Sequence, residues 1–158
     1  MKKIIKYVII VLIAVLVVIQ FIRPDKNEGG YESLAAFKSE TKISEEVFQI
    51  MKTNCFDCHS NQTVYPWYAE VSPLSFWFKD HIDEGKEELN FSEWTTYSLK
   101  KKDHKLEELI EEVDEGEMPL DSYTWIHGKL PENDQKVLLE WAALTRLKFQ
   151  PELKVSSK

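Results

Sequence analysis

Residues 55 to 59 read Cys55-Phe56-Asp57-Cys58-His59, and the 158-residue chain has no other cysteine. Two thiols three positions apart, followed directly by histidine, have the spacing that attaches a c-type haem. Each sulfur forms a thioether to one vinyl group of the porphyrin, and the histidine becomes the proximal iron ligand. A chain of this kind must fold around a large flat cofactor, which needs aromatic walls. Two other readings of the pentapeptide are weaker. A structural zinc site takes four ligands, usually as two Cys/His pairs, and no second cysteine pair exists. A thioredoxin-like dithiol leaves His59 unexplained and calls for a βαβ setting that the sequence does not show.

The N-terminus predicts a retained signal anchor. Lys2, Lys3 and Lys6 precede an uncharged apolar run from Tyr7 to Ile22, broken only by Gln20, and no small-residue cleavage site follows it. Some sixteen to nineteen residues is just enough to cross a bilayer, so residues 1–23 read as a single transmembrane helix. Basic residues flank both ends, with Arg23 and Lys26 beyond the run, and the bias towards a cytoplasmic N-terminus is modest. The remainder is expected outside the cytoplasmic membrane, in the periplasm or its equivalent, where haem attachment of this type takes place in bacteria.

Residues 24–43 read as tether and lead-in. Asp25 to Gly30 is polar and ends in two glycines, the composition of a flexible link. From Asn27 onward the chain holds 15 Lys and Arg against 26 Asp and Glu, a balance of about −11. Nucleic acid does not suit such a surface. A basic redox partner does, although a merely solvated acidic face is the simpler account of the charge.

Apolar spacing is helical through the haem-binding domain, residues 44–148, which a polar tail, 149–158, follows. Ser44 reads as an N-cap with Glu45 and Glu46 in the first turn and with Ile43 and Phe48 as a hydrophobic staple. That helix delivers Cys55 at its C-terminal end. Ser72-Pro73 opens a second helix through Trp77 and His81, and Ser92 caps a short third one. Asp103 is expected to cap the amphipathic run Leu106, Leu109, Ile110 and Val113, which stops at Gly116. Met118-Pro119 and a loop through Trp125 and His127 lead to a last helix after Pro131.

Helix, haem motif, loops, Met-Pro and a final helix is the element order of small class I cytochromes c. In closer detail the chain resembles the bacterial haem-binding domain family over roughly residues 40 to 145. The resemblance rests on Asn54 to Asn61, Tyr65-Pro66-Trp67-Tyr68, Pro73, His81, Asn90-Phe91-Ser92-Glu93-Trp94, Met118-Pro119 and Trp141. It implies one haem bound through the Cys-x-x-Cys-His motif and leaves the physiological role open.

An iron held by His59 on one side needs a sixth ligand or keeps that side free. Met118 is the candidate, since Met1 is the initiator and Met51 lies on the helix before Cys55, where core packing suits it. His127, near Met118 in sequence, is the substitute, with a surface or loop-bonding histidine as the favoured reading, while His81 and His104 read as structural and solvent-facing. Tyr65, Trp67 and Trp77, with Trp94, are candidate walls of the haem crevice, with ordinary core as the other explanation. Lys79, Lys86 or Arg146 are candidates for pairing a haem propionate. No Ser/His/Asp arrangement or phosphate loop is recognisable.

The sequence thus predicts an all-α, cytochrome c-like domain around one covalently attached haem, tethered to the membrane by a single pass. Its expected work is one-electron transfer with a redox protein partner. The rival is a haem sensor or peroxidase-like module whose distal position is open or weakly held.

Overall fold

Ser44 caps α3 (Glu45–Asn54) as expected, accepting from the Val47 amide, and Val47, Phe48, Ile50 and Met51 form its buried face. The computed structural model describes residues 1–156. The other helices are α1 (Lys2–Ile19), α2 (Ala35–Thr41), α4 (Phe56–His59), α5 (Leu74–Glu88), α6 (Leu99–Glu115), α7 (Asp121–His127) and α8 (Glu132–Ser156). Short 3-10 turns occupy Tyr31–Leu34, Trp67–Glu70 and Phe91–Thr96. Among the described residues there is no strand, only one bridge between Glu28 and Gln62.

The core is aromatic. Phe37 of α2 lies 4.8 Å from Phe91, 5.2 Å from Trp94 and 5.9 Å from Trp141, so α2, the Phe91 turn and α8 meet on one ring. Leu34, Met51, Phe56, Leu106 and Leu138 are also fully buried. Each such side chain contributes roughly 1.5–3 kcal/mol by leaving water. α6 packs along α8, where Arg146 holds Asp103 at 3.1 Å and Glu107 at 2.8 Å.

The N-terminal expectation is overturned. α1 spends its first five residues on Lys2, Lys3 and Lys6, and its uncharged part, Tyr7 to Ile19, is 13 residues. At 1.5 Å per residue that spans only about 20 Å, against a hydrocarbon core of about 30 Å. The run does not continue as helix, because Gln20 turns to the folded domain: its amide donates to Ser72 O and accepts from Ser72 N. Among the described residues no helix is long and apolar enough to cross a membrane. The transmembrane helix predicted for residues 1–23 is therefore not supported.

The segment that read as a flexible link is instead a strap stitched to residues 60–86. The Asn27 side chain donates to Ser60 O at 2.8 Å and Thr63 Oγ1 at 3.0 Å, and it accepts from Lys86 Nζ at 2.9 Å. Asn27 N donates to the Tyr65 hydroxyl, Gly29 N to Asn61 O and Gly30 N to the Gln62 side chain. Arg23 and Lys26 both bind Glu70.

Other boundaries shift by local competition. α6 starts four residues before Asp103, on Ser98, whose hydroxyl accepts from Lys101 N, while Asp103 turns to Arg146. It ends at Gly116 in the left-handed conformation, φ 79°, as expected. Asn90 rather than Ser92 caps the Phe91 turn. Trp125 and His127 lie on or at the end of helix α7, not in a loop. α8 continues into the expected polar tail, whose last two residues, 157–158, lie outside the described ones.

Candidate functional site

The motif is built on a break between two helices. α3 ends at Asn54, Cys55 leaves helical geometry (φ −128°, ψ −46°), and α4 makes a single turn in which Cys58 N and His59 N both donate to Cys55 O. The two positions between the cysteines fix this turn from opposite sides. Phe56 is fully buried, 5.3 Å from Phe48 and 5.7 Å from Phe91. Asp57 accepts from Val64 N at 2.8 Å through one oxygen and from the Tyr123 hydroxyl at 3.0 Å through the other. Burial pushes its carboxyl above the usual range despite those bonds.

His59 is oriented by the end of α5. Its Nδ1 lies 2.9 Å from Leu89 O, and a carbonyl can only accept, so Nδ1 carries the proton and Nε2 keeps its lone pair. Burial holds the imidazole below its ordinary pKa, which keeps it neutral. A metal-ligating histidine is oriented in just this way by its second nitrogen. Burial also pushes the Cys55 and Cys58 thiols up to about 12. A reactive dithiol requires the opposite shift, which sets the thioredoxin-like reading aside.

Beside the motif lies an apolar cleft lined by Cys58, Tyr68, Trp77, Phe78, His81, Leu120, Ser122, Tyr123, Ile126 and His127. Four elements form it, Tyr68 coming from the turn Trp67–Glu70. α5 supplies Trp77, Phe78 and His81, with the His81 ring 4.2 Å from the indole of Trp77. The stretch from Leu120 through α7 supplies the facing wall, where Tyr123 and His127 stack at 4.1 Å, 9° from parallel. Cys58 stands between, and α5 approaches it at Gly85, where a Cβ would lie 2.9 Å from Cys58 O. The Tyr68 hydroxyl is buried at the cleft without a hydrogen-bond partner among the described residues.

Of the residues named from sequence, Cys58, Trp77, His81 and His127 line the cleft, while Cys55, at the start of the motif turn, and His59, at the end of α4, do not line it. Tyr65 does not line it; its hydroxyl serves the strap, and its ring lies by Arg23, Lys26 and Glu70. Trp67 is 80% exposed and meets only the edge of Tyr68. Trp94 is core. Met118 is half-buried against the core, two residues before cleft-lining Leu120. The proposed propionate partners are engaged elsewhere: Lys79 with Asp83, Lys86 with Asn27 and Arg146 with Asp103 and Glu107. Tyr68 stood only in the family-like run Tyr65 to Tyr68, and Phe78, Leu120, Ser122, Tyr123 and Ile126 were not candidates. Tyr68 and Phe78 adjoin named residues, but nothing local marks Tyr123.

A neutral imidazole whose Nδ1 carries the proton, two thiols on the same turn, apolar walls and an unpartnered phenol fit a haem. The half-exposed Trp77, Leu120 and Ile126 are the residues that such a group would cover. The chain matches the haem-binding domain family over residues 14–144 and belongs to it. The protein is therefore a haem-binding protein. The match includes the strap, in agreement with its hydrogen bonds to the domain. Comparisons with curated proteins and with solved structures gave no match.

Proposed function

We propose that this protein is a c-type cytochrome domain that carries one electron, with haem joined to Cys55 and Cys58 and its iron held by His59 and Met118. The observation that carries the reading is the bond from His59 Nδ1 to Leu89 O, one residue from Cys58, because it leaves Nε2 as the ligand. The haem supplies the Fe(II)/Fe(III) cycle. Trp77, Phe78, Leu120 and Ile126 exclude water from it, and the Tyr68 hydroxyl offers a donor to a propionate. Met118 is favoured as sixth ligand because Met1 is fully exposed and Met51 is sealed in the core. A thioether in that position favours ferrous iron and closes the site to exogenous ligands.

Attachment of this kind belongs to the outer face of the bacterial cytoplasmic membrane, so the reading places the domain outside the cytoplasm. Its partner is another redox protein and not nucleic acid, in keeping with the net charge of −7. A second reading rests on His81 and His127, which both line the cleft. With Met118 unbound, an open distal side next to these imidazoles suits a ligand sensor or peroxide chemistry.

Full-length protein made with a c-type maturation system distinguishes the two. Haem stain should survive a denaturing gel and vanish in the Cys55→Ala, Cys58→Ala double variant. The ferric protein should show the weak far-red band of sulfur-ligated haem, and Met118→Ala should abolish it, lower the potential and admit cyanide. An unchanged spectrum and potential in Met118→Ala would transfer the case to the sensor reading.

A further inference from the structure

α7 is tied to the haem motif by one side chain. The Tyr123 hydroxyl lies 2.9 Å from Thr53 O in the last turn of α3 and 3.0 Å from Asp57 Oδ2 in α4. Its one proton is shared between these two acceptors, 70 and 66 residues away in sequence. The other hydrogen bonds of α7 close locally, on Leu120, Asp121 and Thr124. Among the described residues α7 buries no side chain fully, and Trp125 and Ile126 stand largely in solvent. Apolar packing therefore gives this element little hold of its own.

Tyr123 also belongs to the cleft, where its ring stacks on His127, one turn further on, and shares a wall with Leu120, Ser122 and Ile126. The segment it anchors begins directly after Met118-Pro119. Movement of α7 away from α4 would carry Leu120 with it and draw the Met118 loop off the site. We infer that Tyr123 is a positioning residue that latches the distal segment, residues 118–127, to the turn bearing the haem cysteines. It thereby keeps the sixth ligand in place and sets how often the distal side opens. This deepens the cytochrome reading and rests on Met118 as ligand.

Tyr123→Phe keeps the ring and its stacking and removes only the hydroxyl. Exogenous ligand enters a six-coordinate haem through transient opening of the distal segment, so loss of this shared hydrogen bond should raise the opening frequency about tenfold. Cyanide binding to the ferric, haem-loaded full chain should accelerate by that factor, and the potential should fall towards that of Met118→Ala. Gln135→Ala, which removes a bond to Val113 O between α6 and α8, is the control for mere loss of stability. It should leave the cyanide rate within twofold of wild type.

Slow binding in wild type, fast in Met118→Ala and still slow in Tyr123→Phe would overturn the latch and spare the ligand assignment. Fast binding already in wild type would overturn both. Equal acceleration in Tyr123→Phe and Gln135→Ala would reduce Tyr123 to a stabilising residue. Should Tyr123→Phe load haem poorly, amide exchange over residues 118–127 is compared in unloaded full-length chains. Exchange about tenfold faster than wild type supports the latch, and unchanged exchange overturns it.

Discussion

Gly85 faces Cys58 so closely that a Cβ on the glycine would stand 2.9 Å from the Cys58 carbonyl oxygen and 3.0 Å from its Cβ. Both neighbours belong to or sit next to the backbone of α4 and cannot rotate away. Alanine normally gains about 1 kcal/mol over glycine within a helix. Here overpacking, typically 1–3 kcal/mol, should win, because α5 must move off the motif turn. Gly85→Ala should therefore lower the urea midpoint of the full chain, with a net loss of about 1–2 kcal/mol. A gain in stability would show that α5 has room to retreat.

Asn27 gives the strap its measurable weight. Its side chain makes three hydrogen bonds, to Ser60, Thr63 and Lys86, and each contributes about 1 kcal/mol or less when part-exposed. Asn27→Ala should cost about 2 kcal/mol in denaturant unfolding and reduce haem loading. Asp25→Ala, two residues earlier and exposed, is the control and should cost almost nothing. Deletion of residues 1–30 should be worse than Asn27→Ala. Equal stability of the deleted and full-length chains would return the strap to the status of a loose link.

The thiols give a prediction in the unloaded chain. With Cys55 and Cys58 pushed up to about 12 by burial, the thiolate fraction at pH 8 is smaller than that of an ordinary cysteine by about three orders of magnitude. Alkylation by iodoacetamide at pH 8 should be correspondingly slow in the folded chain. It should rise to the rate of a free thiol in urea. Rapid alkylation of the folded chain would mean that the motif turn is open to solvent.

The sequence read best where a cap and an apolar stripe agree. Ser44 with its staple located α3, Gly116 ended α6, and the motif named the cofactor. It read worst where two local signals compete. Ser98 and Asp103 are both good caps, and the choice is made by Arg146, 43 residues beyond Asp103. The strap looked like a linker because its bonds go to Ser60, Asn61, Gln62 and Thr63, which composition cannot pair with it. α7 carries no amphipathic signal because it buries nothing fully, so Tyr123 was invisible despite touching the motif turn. Tyr65 and Trp67 sit beside Tyr68 in sequence, yet only Tyr68 reaches the cleft, a choice made by the turn Trp67–Glu70. The run after Lys6 has the composition of a membrane span and falls short in helical length.

The His59 tether to Leu89 also has a consequence in time. During synthesis from the N-terminus, Cys55, Cys58 and His59 emerge about thirty residues before the carbonyl that orients the imidazole, and still before Gly85 closes on the same turn. Until then the thiols stand in solvent; afterwards burial raises both. On the cytochrome reading, thioether formation is then expected on the unfinished chain, before completion of α5 closes over the motif turn.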